Sequence, residues 1–289
     1  MTRLLPLLCL GCVAAVAGTV YFQLGAATRD PLSGPPSTAA VRAAAADELA
    51  RALHAARRSC EAAPLDAVVE RARTTTTAPD APAPARSWQL LAEALLERCL
   101  ARTHLRGMVV GQPTTTTLPA ATVADIDEGL AAAAKARQLG NEDADLPRVE
   151  AGLISLRITG LGSALKWSNQ VLAALQQAAT KDPDNPHLHV ASGLRKLLSP
   201  RWLGHDDARA LEHFEYAAKV LTDDERPAVF AAMACHLQQK RMQAIEWLER
   251  AVQRNPANKF AAVVLQRLRR GEADAFARDV TAAEAAAVR

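Results

Sequence analysis

The sequence predicts an all-α protein made of stacked antiparallel helix hairpins and preceded by one transmembrane helix. Three observations carry that expectation. Hydrophobic residues make up 49% of the 289-residue chain while aromatic residues make up only 4%; alanine dominates and β-branched runs are short, which favours helix over sheet. Residues 225–258, ERPAVFAAMACHLQQKRMQAIEWLERAVQRNPAN, spell two helices and a turn with small residues at the spacing of a close helix crossing. At the N-terminus every residue from Leu4 to Phe22 is apolar or small, and about 20 such residues span a bilayer. The formal charge of +3 comes from arginines scattered along helices rather than from a block, so nucleic acid is not an expected partner.

In the 225–258 stretch, Ala232, Ala244 and Ala251 are the small residues, Leu248 is the large one between helices, and Pro256 stops the second helix near Asn255. Counted from Glu225 these are positions 8, 20, 27, 24 and 32 of a unit of about 34 residues. The pattern resembles a tetratricopeptide repeat. It departs from that family at Ala228, Ala231 and Cys235, which stand where larger residues are usual. The resemblance implies a right-handed superhelix whose first helices line a concave groove, with Arg226, Val229, Met233 and His236 at the groove positions of this repeat.

Residues 1–28 read as a membrane anchor or signal segment. Arg3 and the amino terminus lie before the apolar run, and Arg29 and Asp30 cancel after it, so the body is expected outside the cytoplasm, in the cell envelope. A retained inner-membrane anchor competes with a cleaved signal, with small residues at Ala15 and Ala17 or at Gly25 and Ala27, and with a lipoprotein signal ending at Cys12. Residues 29–38, rich in Pro, Gly and Ser, read as a linker.

Residues 39–85 then read as an N-terminal capping pair of helices, 39–62 and 65–73, followed by a loop at 74–85. The repeat domain occupies 86–289. Its first helix is capped by Ser87, carries the stripe Trp88, Leu91, Ala92 and Leu95, and ends at Gly107. A Thr-rich loop at 112–122 separates it from a partner helix running to Leu139. Helices at 146–159 and 163–181 follow, with Trp167 at an expected interface, then 187–198 and 208–221, the unit at 225–258, and a closing segment from 259 onward.

Between the helices at 187–198 and 208–221 lies SPRWLGHDD. Ser199 and Pro200, then Leu203, Gly204, His205 and Asp206, then Ala210 and Phe214, resemble the T-component of tripartite ATP-independent periplasmic transporters. That likeness implies an accessory that associates with a solute receptor.

The sequence has no Gly-rich phosphate loop, no H-E-x-x-H and no G-x-S-x-G, the part after the apolar segment has no C-x-x-C pair, and no cofactor or metal site is assigned. His187, His189, His205, Asp206, Asp207 and His213 gather in one repeat. His187 and His189 are two apart on a helix and face different directions, and Asp206 and Asp207 suit a helix start. A metal site drawn from this cluster competes with solvated or capping roles for its members, and a hydrolase built on it is the enzymatic alternative. Cys60 and Cys99 either pair as a disulfide or serve as small core groups, and Cys235 is a core position. Arg57 with Arg58, and Arg267 with Arg269 and Arg270, read as solvated helix faces. The expected function is a non-enzymatic, membrane-tethered scaffold that holds a protein or peptide partner in the groove; the alternative is the transporter accessory.

Overall fold

A computed structural model describes residues 37–77, 83–103 and 117–288 of the chain, and Thr38–Arg289 forms one compact unit. The apolar span, Cys9, Cys12, Gly107 and most of the linker lie outside the described residues. Within them the protein is entirely helical: α1 (Thr38–Ser59), α2 (Ala62–Thr77), α3 (Ala85–Thr103), α4 (Ala120–Gln138), α5 (Asp145–Leu156), α6 (Leu161–Lys181), α7 (Pro186–Leu198), a 3-10 turn (Arg201–Leu203), α8 (Asp207–Val220), α9 (Arg226–Leu237), α10 (Arg241–Arg254), α11 (Lys259–Arg270) and α12 (Ala282–Ala287). No described helix is long and apolar enough to cross a membrane.

Each helix packs on the next, and α1, α3, α5, α7 and α9 also touch in succession. The odd-numbered helices therefore form one row, and α2, α4, α6, α8 and α10 each wedge between two members of it. Small residues permit this packing. Ala228, Ala231, Ala232, Ala244 and Ala251 have no exposed surface, and a Cβ placed on Gly193 would lie 2.6 Å from the Phe214 ring. That glycine lets α7 and α8 approach closely enough to enclose Phe214.

Local signals set most boundaries. Asn185 caps α7 by accepting from the amides of His187 and Leu188, with Pro186 at the first helical position where its missing donor is harmless. Asp206 caps α8, Asn258 caps α11, and α10 stops at Arg254 before Asn255 and Pro256.

Several expectations are corrected. Thr74–Thr77 continue α2 rather than opening a loop: Thr76 is buried on the packed face of the helix, and each hydroxyl is satisfied by a carbonyl one turn back, Thr74 by Glu70, Thr75 by Arg71, Thr76 by Ala72 and Thr77 by Arg73, at 2.9–3.2 Å. Ser87 does not cap α3, which begins at Ala85 after Pro84. The break between α1 and α2 falls at Cys60, whose φ of 56° turns the chain, and Pro64 sits inside the first turn of α2. Cys60 and Cys99 are not joined: the Cys60 thiol lies beside Glu225 and Asn255, whereas Cys99 is buried against the Thr122 carbonyl.

Candidate functional site

The row of odd-numbered helices should present the groove, and its inner face is filled instead. Val229 has no exposed surface and Met233 only 7%. Val229 packs with Leu248 and Val264 in the core of the last hairpins, and Met233 packs with Phe214 and Phe230. His236 lies against Phe276, ring centroids 5.3 Å apart, so the segment after α11 covers this end of α9. Arg226 is the one groove residue with a polar task, and it turns inward. The four expected groove positions therefore do not form an open surface: the smaller residues on α9 draw its neighbours in, and Val229 and Met233 become core.

What occupies the inner face is a cluster of ion pairs. Arg57 of α1 reaches Glu93 of α3 at 2.5 Å and Glu97 at 2.9 Å. Arg148 of α5 holds Asp145 at 2.9 Å and Glu93 at 3.2 Å. Arg226 of α9 clasps Asp224 at 2.6 Å and reaches Glu97 at 3.0 Å. Four helices of the odd row are thus joined by three guanidiniums and four carboxylates. Burial pushes the Glu97 carboxyl up, but Arg57, Arg226 and Arg148 together hold it below the usual carboxylate range. Against the same cost of burial, Arg148 lowers Asp145 to about 2, and Arg226 holds Asp224 lower still. His187, at the start of α7, has its pKa lowered by burial and then by Arg148, so its imidazole is neutral at pH 7.

Beside this cluster a cavity of about 290 Å³ opens between α1, α3, α5 and α7. Ala50, Leu53 and Leu90 form its apolar part, and Arg57, Arg86, Gln89, Glu93, Asp145 and His187 its polar part. The polar groups are held in place. Gln89 donates to Asp143 and accepts from Asn141, and Asn185 donates to Asp145 at 3.3 Å while capping α7. Arg86 is the adaptable member, half exposed and 3.9 Å from Asp47. Such a cavity suits a short polar segment carrying both donors and acceptors.

The histidines and aspartates of 187–213 separate into three places. His187 joins the cavity, His205 pairs with Asp207 at 2.9 Å, and His189 meets His213. Asp206 caps α8. Among the described residues, no three His, Cys, Asp or Glu side chains group around one point that could hold a metal ion.

Two arginine expectations also change. Arg58 crosses to the far end of the chain, donating to the carbonyls of Asp223 and Arg254, while Asn255 donates to the Arg58 carbonyl at 2.9 Å. Arg267 is wholly buried and binds the carbonyls of Ala275, Arg278 and Asp279 as well as Glu284 at 2.7 Å. Trp167 is half-buried, with Arg157 and Lys166 over its ring. Sequence reasoning missed the inner cluster because its members are far apart in the chain, although the recurrence of a charged residue near the start of α5 and α9 was visible. No family model matches the chain, and comparison with curated proteins finds none similar to it.

Proposed function

We propose that the chain is a non-catalytic scaffold of the tetratricopeptide type, a right-handed stack tethered to the inner membrane with its body outside the cytoplasm. Its task is to hold a polar segment of a protein partner at the inner face of the odd-numbered helices. The observation that carries this reading is the cavity of about 290 Å³ between α1, α3, α5 and α7, whose donors and acceptors are fixed before any partner arrives. Preorganisation of that kind reduces the ordering cost of binding. A cavity of this size admits two or three side chains, so recognition would be of a short segment.

A photoreactive amino acid introduced at Arg86 should give a discrete crosslinked adduct in membranes, and the same group at exposed Glu246 on α10 should give none. Arg86→Glu should abolish partner recovery with the melting temperature unchanged, since Arg86 is half exposed and only loosely paired. Equal adducts at both positions would refute the reading.

A second reading, the transporter accessory, is favoured by one observation. Trp202 is 61% exposed on the turn after α7, beside exposed Leu198 and the left-handed Gly204. If that turn docks a solute receptor, Trp202→Ser should remove receptor copurification and Arg86→Glu should not.

A further inference from the structure

We propose that His189 of α7 and His213 of α8 form a two-imidazole site for a divalent transition-metal ion. Their Nδ1 atoms lie 3.1 Å apart, with the rings close to edge-on at 69°. With metal–nitrogen bonds of about 2.0–2.1 Å, that separation subtends about 100° at the metal, between square-planar and tetrahedral angles. The remaining positions are left to water or to a side chain of a partner.

The surroundings prepare His189 for this role. Its Nε2 lies 3.2 Å from the Pro183 carbonyl, an arrangement in which Nε2–H donates and the lone pair sits on Nδ1, facing His213. The ring stacks on Tyr216 with centroids 4.1 Å apart, and the Tyr216 hydroxyl donates to the Asp184 carbonyl at 3.0 Å. Both carbonyls belong to the turn that Asn185 caps, so the imidazole is fixed by backbone on one edge and by an aromatic face on the other.

In the metal-free protein a single proton bridges the two Nδ1 atoms. On binding, the His213 proton moves through solvent to its Nε2, both lone pairs face the ion, and no net proton is released. Lys196 and Arg209 repel a cation and Glu212 attracts one, which leaves affinity to the imidazoles. The order Zn²⁺ below Cu²⁺, with Ni²⁺ also below Cu²⁺ and Mg²⁺ unbound, follows from nitrogen-only ligation.

The test is calorimetric titration of the full-length, tag-free protein in detergent with NiCl₂ at pH 7.4 under reducing conditions, with MgCl₂ as control. One saturable Ni²⁺ site is expected, weakened tenfold or more by His189→Gln and by His213→Gln, and changed less than twofold by His187→Gln or His205→Gln. Circular dichroism checks that each variant is folded; should one of the pair unfold, the other decides. No saturable Ni²⁺ binding by the wild type, or binding of equal strength in the His189 and His213 variants, overturns the proposal.

Discussion

Arg226→Met and Glu97→Gln strike the same ion pair from opposite sides, and the structure predicts that they differ. The inner cluster holds the guanidiniums of Arg57, Arg148 and Arg226 against the carboxylates of Glu93, Glu97, Asp145 and Asp224, with Glu225 buried alongside. Negative charge is already in excess. Removing Arg226 leaves Asp224 without its 2.6 Å partner and two guanidiniums to serve four acids. Breaking a buried pair this way costs about 3–5 kcal/mol. Glu97→Gln removes one of the surplus charges, Arg57 keeps Glu93 at 2.5 Å, and Arg226 keeps Asp224. The amide oxygen still accepts, so the cost falls to about 1–2 kcal/mol, the difference between a charged and a neutral hydrogen bond. In a body of this size each kcal/mol moves the midpoint by about 2–4 °C. Thermal unfolding followed by far-ultraviolet circular dichroism should therefore place Arg226→Met about 10 °C below wild type and Glu97→Gln about 4 °C below. Equal shifts, or a larger one for Glu97→Gln, would refute the reasoning from charge balance.

Gly193→Ala should lower stability by about 1–3 kcal/mol in denaturant titrations, because overpacking against the Phe214 ring at 2.6 Å outweighs the gain of about 1 kcal/mol from alanine in a helix. Ala244→Arg should cost about 2–4 kcal/mol, because Ala244 is fully buried at the α9–α10 crossing, whereas Ala257→Arg in the exposed turn after Pro256 should leave the melting curve in place. Stability should fall with pH in two windows. The folded-state pKa of His187 is below its ordinary value, so the unfolded chain takes up the proton first and stability declines from about pH 6.5 downward. Asp145, Asp224 and Glu97 are depressed too, so their contribution is complete above about pH 4 and is lost as pH drops toward 2. His187→Gln should shrink the first window, leaving the part that His213 contributes, and spare the second in melts taken from pH 8 to 2. Burial, then Glu225, pushes the Cys60 thiol up to about 12, and burial, then Asp125, does the same for Cys99; peptide mapping after iodoacetamide at pH 8 should find neither alkylated until the protein is unfolded.

Local chemistry was legible in the sequence. Pro256, the small residues at 232, 244 and 251, and the cap at Asp206 each act within a turn or two of chain, and each lies where its own properties put it. The inner face was not legible, because Arg226 and Glu97 are 129 residues apart and nothing local marks an arginine as paired rather than solvated. Arg57 and Arg267 were misjudged for that reason. Val229 and Met233 were placed by their repeat positions, whereas their exposure depends on what the rest of the chain lays over α9. The Thr run that ends α2 misled by composition, since threonine has a low helix propensity and burial of Thr76 against the rest of the body overrides it.

The bonds from Arg58 to the carbonyls of Asp223 and Arg254, returned by Asn255, tie the end of the first helix to hairpins nearly two hundred residues later. An ordinary linear array gains stability only from adjacent units, can fray from either end and tolerates loss of a terminal unit. Here the first hairpin is next to the last ones in space, so the body has no free end to unzip from on that side. Unfolding should be a single cooperative transition, and folding should be slow for a helical protein, because closing so long a loop costs entropy before its contacts form. A chain of this kind is committed to being made whole: Arg57 can meet Glu97 once α1 and α3 have formed, but the second guanidinium on Glu97, that of Arg226, arrives only with α9.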